Sequence, residues 1–306
     1  MRSKAISIFS APPRPRLYTK CVDISGKKIA LPSFCFFSSI IMKSLVKVLT
    51  IAGSDPSGGA GIQADLKTFL TLGAFGMAVP AALTMQNSVG VSGVSGVPPS
   101  ALRAQLETLM SDIKPNAVKT GMLLTRRNVD VIAEIAKEFR IKNLVVDPVL
   151  RSTSGRMLLQ PAAVSSLKKN LIPRALIVTP NIPEAEVLSG LSIRTETDKD
   201  YAAGRILDLG PKYVLIKGGH AKGHAVDTLY GGKTVLSFST PRRKGEFHGT
   251  GCALASAIAV FIGRGLPVEK AVENAKQFVD SLLKTAGKVG KGKVKYLLLQ
   301  SANCKL

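Results

Sequence analysis

Apolar strand-like runs alternate with helical patterns along the chain from residue 45 onward. This alternation predicts an α/β fold, with a mostly parallel central sheet and helices on both faces. A hairpin is predicted over 227–238, because Gly231 and Gly232 separate two strand-like runs. The other predicted strands cover 45–53, 78–84, 116–121, 143–149, 175–181 and 213–219. The predicted helices cover 61–73, 99–113, 127–140, 184–190, 200–210, 251–264 and 267–286.

The first 41 residues do not share this pattern. They hold seven Lys or Arg and one acid, Asp23, and they are rich in Ser and Pro. We expect a disordered leader or an upstream start with translation beginning at Met42; an organelle transit segment is the alternative. The apolar stretch FCFFSSII is too short to span a membrane. The predicted organisation is a leader, 1–41, one α/β domain, 42–290, and a C-terminal tail, 291–306.

The chain is basic, with 42 Lys and Arg against 20 Asp and Glu, a net charge of +22. The positive charges are mostly dispersed and not interleaved with aromatic residues, so charge alone does not predict nucleic-acid binding. The four cysteines form no C-x-x-C pair, which argues against zinc and thioredoxin-type sites. We expect a reducing compartment, the cytoplasm, with no nucleic-acid or membrane partner.

Ligands of such sheets bind beyond the carboxyl ends of the strands, so the residues that follow each strand are the candidates. After the first strand, Gly59, Gly61 and Ala64 fit G-x-G-x-x-A, but no acid follows about 20 residues later, which disfavours a dinucleotide site. We interpret these glycines as a loop that lets the backbone approach a small ligand. Asp55 in this loop either binds a ligand or caps the turn.

Polar residues follow the other strands as well. Gln86 offers both a donor and an acceptor, suited to a pyrimidine edge, although an exposed loop amide would look the same. Asp147 lies in an otherwise apolar strand, where burying an acid requires a partner. Asn181 and Glu184 either cap a helix or help to hold Mg²⁺. Lys217, beside glycines at a strand end, is a candidate phosphate contact, whereas a Walker A motif is absent.

The stretch HGTGCALASAIA joins a glycine turn to an apolar helix. Backbone N–H groups at a helix start are unpaired and attract anions, so Gly249, Thr250 and Gly251 are predicted to form an anion hole for phosphoryl transfer. Cys252 stands at the helix start, a position that lowers a thiol pKa. It could act as a base or a nucleophile, or simply pack in the core. His220, His224 and His248 are not predicted to bind a metal, because no helix brings them together.

These segments occur in the same order as in a known family. TIAGSDPSGGAGIQADLKTF, KTGML, VVDPV, TPNIPEAE, IKGGH and HGTGCALASAIA, between about residues 45 and 285, resemble the hydroxymethylpyrimidine and phosphomethylpyrimidine kinases of thiamine biosynthesis. The resemblance implies a ribokinase-like three-layer sandwich, ATP and Mg²⁺, and a homodimer. It also implies two successive phosphorylations of a small pyrimidine. Pyridoxal kinase activity, or a non-catalytic binding protein on this fold, is the alternative.

The resemblance also implies roles for individual residues. Cys252 and the anion hole would be catalytic, with the cysteine standing where sugar kinases carry an aspartate base. The pyrimidine would contact Gln86, Gly53, Asp55, Met122 and Val149. ATP and its phosphates would contact Lys217, Asn181 and Glu184, and Mg²⁺ would lie near Asp147 and Glu184. The chain departs from the family pattern at Arg156, Ala253 and Ala255, and in its C-terminal segment.

Overall fold

Strands and helices alternate along the chain, as the hydrophobic pattern predicts. The structure is a computed structural model that describes residues 45–152, 155–218, 224–232 and 234–298. The predicted leader, 1–41, and His220, which was weighed above as a metal ligand, lie outside these ranges. None of the helices in the described ranges combines the length and apolar character that crossing a membrane requires.

The strands are β1 Lys47–Ser54, β2 Phe75–Gln86, β3 Val91–Gly96, β4 Ala117–Thr120, β5 Leu144–Val146, β6 Ile177–Val178, β7 Tyr213–Gly218, β8 Ala225–Gly231, β9 Thr234–Thr240, β10 Phe247–His248, β11 Gly287–Lys288 and β12 Lys295–Tyr296. The helices are α1 Gly61–Thr71, α2 Pro99–Asp112, α3 Arg126–Glu138, α4 Pro161–Ser166, α5 Ile182–Ser189, α6 Glu196–Leu207, α7 Thr250–Gly263 and α8 Val268–Thr285. A π-helical turn, Leu167–Leu171, and a 3₁₀ turn, Ile172–Arg174, continue α4.

Within the described residues, nine strands form one sheet in the order β3-β2-β1-β4-β5-β6-β7-β8-β9. The strands from β2 to β7 in that order run parallel, and β3, β8 and β9 add antiparallel edges. A second, three-stranded sheet joins β10, β12 and β11. The predicted mostly parallel sheet is confirmed. All carboxyl ends of the parallel strands therefore meet at one edge.

The hydrophobic core lies on both faces of the large sheet. Successive strand residues alternate between the two sides: Leu144 and Val146 pack with α2 to α6, whereas Val145 packs with α1, α7 and α8. Helices cover both faces of the sheet, and the side chains of the central strands are therefore buried on both sides. This arrangement is the three-layer sandwich that the resemblance implies.

Some elements differ from the sequence predictions. The strand predicted over 143–149 ends at Val146, so Asp147 follows the strand instead of lying inside it. Val149 has a φ of 40°, which excludes an extended strand at that position. The sequence analysis missed β3 and α4. The segment of β3, VSGVSG, has low intrinsic strand propensity and forms a strand by pairing with β2.

The C-terminal segment packs against the domain. Tyr296 in β12 is buried, and β12 pairs in parallel with β10, directly before α7. The predicted boundary between domain and tail at residue 290 stays a prediction, although β12 lies beyond it.

Candidate active site

A cavity of about 910 Å³ opens beyond the carboxyl ends of the parallel strands. Its size suits a small molecule together with a nucleotide. Segments distant in sequence contribute to its lining, because the parallel strands end at the same edge. Every residue to which the resemblance gave a role lines this cavity: Gly53, Asp55, Gln86, Met122, Asp147, Val149, Asn181, Glu184, Lys217, Gly249, Thr250, Gly251 and Cys252. Of the glycine loop after β1, Gly61 lines the cavity, whereas Gly59 and Ala64 do not.

The N-terminus of α7 forms one wall of the cavity. The Ala253 N–H donates to the Gly249 carbonyl at 2.9 Å, so the N–H groups of Thr250, Gly251 and Cys252 precede the first helical hydrogen bond. Gly249 has a φ of 81°, and a Cβ there would lie 1.8 Å from the Gly59 carbonyl oxygen. Only glycine allows the turn to pack this closely against the loop after β1. The geometry provides the donors that an anion hole requires.

Beside these donors lies a lysine that contacts two carboxylates. The Lys217 Nζ is 2.9 Å from Asp147 Oδ1 and 4.0 Å from Glu184 Oε2. A Cβ on Gly251 would lie 3.4 Å from Lys217 Nζ and 3.8 Å from Asp147 Oδ2, which places both charged groups beside the anion hole. Burial lowers the pKa of Lys217, but Asp147 and Glu184 outweigh it and raise the pKa overall. Lys217 is therefore a fixed positive charge.

Glu184 makes the predicted helix cap. Its Oε2 accepts from the Asn181 N–H at 2.8 Å, and Asn181 Oδ1 accepts from the Glu184 N–H at 2.9 Å, which is a capping box. Burial raises the pKa of Glu184, while Lys217 lowers it and Asp147 raises it, and the net direction is upward. Among the described residues, no three His, Cys, Asp or Glu side chains are grouped as metal ligands.

The environment of Cys252 differs from the sequence prediction. Its position at a helix start favours thiolate, but the structure raises the pKa of the thiol to about 11. Burial is the largest cause; Lys119 lowers the pKa, and Asp65 and Asp147 raise it. The prediction of a lowered thiol pKa is wrong, because burial destabilises the thiolate by more than the N-terminus of the helix stabilises it. At neutral pH Cys252 is a thiol.

A buried ion pair beneath the anion hole escaped the sequence analysis. Lys119 Nζ lies 2.8 Å from Asp65 Oδ2, and both side chains are fully buried. Thr50 and Ser256 donate to the same carboxylate, at 2.6 and 2.7 Å. The sequence carried a signal for this pair, because Lys119 interrupts an apolar strand and a buried charge requires a partner. The same reasoning identified Asp147 as a candidate. The pair joins β1, α1, β4 and α7 below Cys252.

The other end of the cavity carries the candidate pyrimidine contacts. Gln86 ends β2, and its amide lies 3.0 Å from His248 Nε2. Asp55 accepts from the Ser57 and Ala60 N–H groups, both at 2.9 Å, so it caps the turn as well as lining the cavity. His248 was considered only as a metal ligand in the sequence, whereas His224 contacts Ser239 elsewhere.

The apolar wall at this end depends on close packing. A Cβ on Gly53 would lie 2.9 Å from the Met122 sulfur, so the glycine makes room for the methionine. Val149 occupies the left-handed region, which is rare and strained for a β-branched residue. Strain of this kind is held in place by the surrounding structure and concentrates at ligand sites.

Known proteins resemble this chain in sequence. The family model for phosphomethylpyrimidine kinase matches residues 55–296, most of the chain. The chain belongs to the phosphomethylpyrimidine kinase family. The protein is therefore a kinase, a phosphotransferase of the kind that acts in thiamine biosynthesis.

Two curated relatives illustrate the likeness. The kinase is 41% identical over 255 residues to the hydroxymethylpyrimidine/phosphomethylpyrimidine kinase of Bacillus subtilis, covering 81% of this chain and 93% of that one. It is 47% identical over 247 residues to the thiamine biosynthesis bifunctional protein ThiED of Geobacter sulfurreducens, covering 80% of this chain. The chain spans only 50% of the length of that bifunctional relative.

Solved structures share the fold. The phosphomethylpyrimidine kinase of Clostridium difficile is 44% identical to the kinase, with a TM-score of 0.70 over 77% of this chain and 98% of that one. The pyridoxal kinase of Staphylococcus aureus, solved with AMP-PCP and pyridoxal, is 37% identical, with a TM-score of 0.77 over 85% and 96%. The ribokinase-like fold that the resemblance implies is confirmed.

Proposed function

We propose that the protein transfers the γ-phosphoryl group of ATP to 4-amino-5-hydroxymethyl-2-methylpyrimidine, and then a second phosphoryl group to the resulting monophosphate. One observation carries this proposal. A single cavity has a donor–acceptor amide, Gln86, at one end and an anion hole beside Lys217 at the other. The membership in the phosphomethylpyrimidine kinase family supports the same substrate.

The chain's own residues suit the electrostatics of this transfer. The hydroxymethyl oxygen forms a new bond to the γ-phosphorus, and the bond from the γ-phosphorus to the bridging oxygen breaks, so that ADP leaves with that electron pair. Negative charge on the moving phosphoryl oxygens faces the N–H groups at the start of α7. Lys217 supplies a fixed positive charge beside them. In the second transfer a phosphate oxygen of the monophosphate replaces the alcohol.

ATP and Mg²⁺ are part of the proposal. A helix N-terminus next to a lysine binds phosphate in many proteins, and the staphylococcal relative was solved with an ATP analogue. For the metal, Asp147 and Glu184 are the acidic side chains near Lys217. Two carboxylates with phosphate oxygens and waters suit Mg²⁺, which keeps several of its waters. The metal would neutralise charge on the phosphates.

Cys252 has a positioning role in this proposal. A thiol whose pKa is about 11 is protonated at neutral pH, so it is a poor base. It lies at the start of α7, beside the N–H groups that face the phosphoryl group. We propose that Cys252 orients the substrate hydroxyl, whose proton passes to the transferred phosphoryl group and then to water.

The proposal is tested by incubating the purified full chain with ATP, Mg²⁺ and the hydroxymethylpyrimidine and following both phosphorylated products. Absence of both the monophosphate and the diphosphate would refute it. The variant Lys217→Ala should lose most activity, whereas Lys270→Ala, which removes a lysine from an exposed ion pair on α8, should keep it. Equal activity in these two variants would contradict the role of Lys217.

Pyridoxal kinase activity is the second candidate. The 37% identity and the TM-score of 0.77 to the pyridoxal kinase of Staphylococcus aureus favour it. Comparing kcat/KM for pyridoxal and for the hydroxymethylpyrimidine decides between them. A higher value for pyridoxal would replace the first proposal, and no turnover of either would favour a binding protein.

We also propose a homodimer that associates through the β2–β3 hairpin. Leu83 and Met85 are about half exposed on the face of β2 opposite the cavity, whereas Thr84 and Gln86 line the cavity. Val89, in the turn, is 73% exposed. Adjacent exposed apolar side chains of this size are typical of an interface.

For location, we propose the cytoplasm, with an organelle as the alternative. A rice relative 45% identical over 240 residues is named chloroplastic, which keeps the alternative open. N-terminal sequencing of the protein isolated from its cells tests this proposal. A processed N-terminus within the predicted leader would favour the organelle.

A further inference from the structure

His248 joins three segments at the candidate pyrimidine end of the cavity. Its Nε2 lies 2.8 Å from Asp55 Oδ2 and 3.0 Å from the Gln86 amide atom placed as Nε2. Asp55 follows β1, Gln86 ends β2, and His248 directly precedes the anion hole. One imidazole nitrogen thus contacts both an acid and the amide that faces the cavity.

The hydrogen bonds of Asp55 determine which atom carries the proton. Asp55 Oδ1 accepts from the Ser57 N–H and hydroxyl, at 2.9 and 2.7 Å, and Oδ2 accepts from the Ala60 N–H at 2.9 Å. Burial raises the pKa of Asp55, but the hydrogen bonds from His248 and Ser57 outweigh it and leave the pKa below its usual value. Asp55 is therefore a carboxylate at neutral pH. Because a carboxylate only accepts, His248 Nε2 must carry a hydrogen in either charge state of the ring.

This hydrogen fixes the amide of Gln86. The oxygen and nitrogen of a glutamine amide have nearly the same shape, so their placement follows from hydrogen bonding. If the amide NH₂ lay 3.0 Å from a protonated Nε2, two hydrogen-bond donors would face each other and neither would have an acceptor there. The amide oxygen, an acceptor, must therefore face His248, and its second lone pair stays available to a ligand.

The imidazole ring is held so that it cannot turn away. Tyr296 in β12 packs edge-to-face on it, with ring centroids 5.4 Å apart. Gly59 lies against the same two rings: a Cβ there would lie 2.3 Å from His248 Cδ2 and 2.5 Å from Tyr296 Cε1, so the rings fill the space that a side chain would need. The Tyr296 hydroxyl donates to Ser57 Oγ at 3.0 Å, and Ser57 donates to Asp55. The C-terminal strand thus supports the whole chain of contacts.

We propose that His248, held by Asp55 and Tyr296, is a positioning residue that fixes the polarity of the Gln86 amide and so selects an aminopyrimidine over an oxopyrimidine. With its oxygen fixed toward His248, the amide accepts from an exocyclic amino group and donates to the adjacent unprotonated ring nitrogen. A 4-oxo pyrimidine presents the opposite pattern, an acceptor oxygen beside a ring N–H. This inference rests on the proposed pyrimidine kinase activity. It identifies the 4-amino group and the adjacent ring nitrogen as the part of the substrate that the site recognises.

The test compares kcat/KM for the 4-amino substrate with that for its 4-oxo counterpart. In His248→Phe an aromatic ring still fills the space beside Gly59 and Tyr296 but donates no hydrogen. We expect the amino-to-oxo ratio to fall by about 10-fold or more, the scale of one two-point amide pairing. His248→Gln, which keeps an N–H donor, should retain most of the ratio. The control His224→Phe changes an exposed histidine that does not line the cavity, and it should leave the ratio unchanged.

The outcomes separate the inference from the proposed function. If the unaltered protein phosphorylates neither pyrimidine, the proposed function fails. If it phosphorylates the amino substrate, but His248→Phe lowers kcat/KM for both substrates by the same factor, only the inference fails and His248 is structural. Should His248→Phe not fold, ¹⁵N NMR of the unaltered protein, with His248 assigned by His248→Gln, decides. A protonated Nε2 supports the inference, and a bare Nε2 overturns it.

Discussion

Cys252 shows how burial changes the chemistry of a helix-start cysteine. Its thiol has a pKa of about 11, mainly because burial disfavours the thiolate, although Lys119 lowers the pKa. The thiolate fraction at neutral pH is then on the order of 10⁻⁴, and it rises about tenfold with each pH unit. The reactive form of Cys252 should therefore appear only in strongly alkaline solution.

We predict that alkylation of Cys252 by iodoacetamide accelerates about tenfold per pH unit from pH 7 to 10 without levelling off. Mass spectrometry of the peptide that contains Cys252 measures this, because Cys21, Cys35 and Cys304 also react in principle. A rate that levels off above about pH 9 would show an unperturbed thiol. In assays, Cys252→Ala should lose roughly 10-fold in kcat/KM, as for a lost hydrogen bond, and not the 10²-fold or more of a lost base.

The two glycines of the anion hole have different physical requirements. Gly249 has a φ of 81° and lies against the Gly59 carbonyl, whereas a Cβ on Gly251 would meet only Lys217 and Asp147 at ordinary contact distances. Glycine is therefore required at Gly249 by the backbone conformation. At Gly251 it is required because a side chain would project into the space in front of the N–H donors.

We predict that Gly249→Ala lowers the free energy of unfolding by at least about 2 kcal/mol, from backbone strain and the clash with Gly59. Gly251→Ala should unfold at nearly the unaltered urea concentration but lose kinase activity, because its methyl group projects toward Lys217 and Asp147. Urea denaturation and kcat/KM measure the two effects. Equal loss of stability in both variants would contradict this division.

The buried pair Lys119–Asp65 connects elements beneath the site. Asp65 lies in α1, Lys119 in β4, and the partners Thr50 and Ser256 lie in β1 and α7. Removing one member of a buried pair leaves an uncompensated charge. The position of α7, which begins at the anion hole, therefore depends on a buried ion pair whose Lys119 also lines the cavity.

We predict that Lys119→Met lowers the free energy of unfolding by about 3–5 kcal/mol. The double variant Lys119→Met/Asp65→Leu should lose clearly less than the sum of the single variants, because no lone charge stays buried. Denaturation of the single and double variants measures this coupling. Additive losses would mean that the two side chains stabilise the fold independently.

Across the whole molecule, the sheet separates the cavity from the proposed dimer interface. On β2 the alternation of side chains sends Thr84 and Gln86 to the cavity and Leu83 and Met85 to the outside. A partner bound at the outer face would support the strand that carries Gln86.

We predict that Leu83→Glu/Met85→Glu shifts the protein from dimer to monomer, because two charges on an apolar interface oppose its burial. Light scattering after size-exclusion chromatography measures the mass. Leu70→Glu, at a 69% exposed position of α1, is the matched control and should leave the dimer intact. A monomeric unaltered protein, or a dimer that survives the double change, would refute the proposed interface.

Much of the fold was predictable because its signals are local. The β-strands of the centre are continuous apolar runs, and α3 and α8 carry clear helical periods. The strand β3 was missed because its Ser- and Gly-rich segment forms a strand only by pairing with the neighbouring β2. The short helix α4 was missed because it is held by core packing with segments distant in the sequence. The candidate site was predictable in its residue types, since polar residues at strand ends stand out against apolar strands.

The sequence by itself determined the α/β architecture and, through the order of its motifs, the kinase family and the residues around the cavity. Only the tertiary structure decided what those residues do to one another. The protonated thiol of Cys252, the pair Lys119–Asp65 and the contact of His248 with Gln86 all join residues far apart in the sequence. Burial and proton placement depend on which groups meet in space, and residue order alone does not specify those distances.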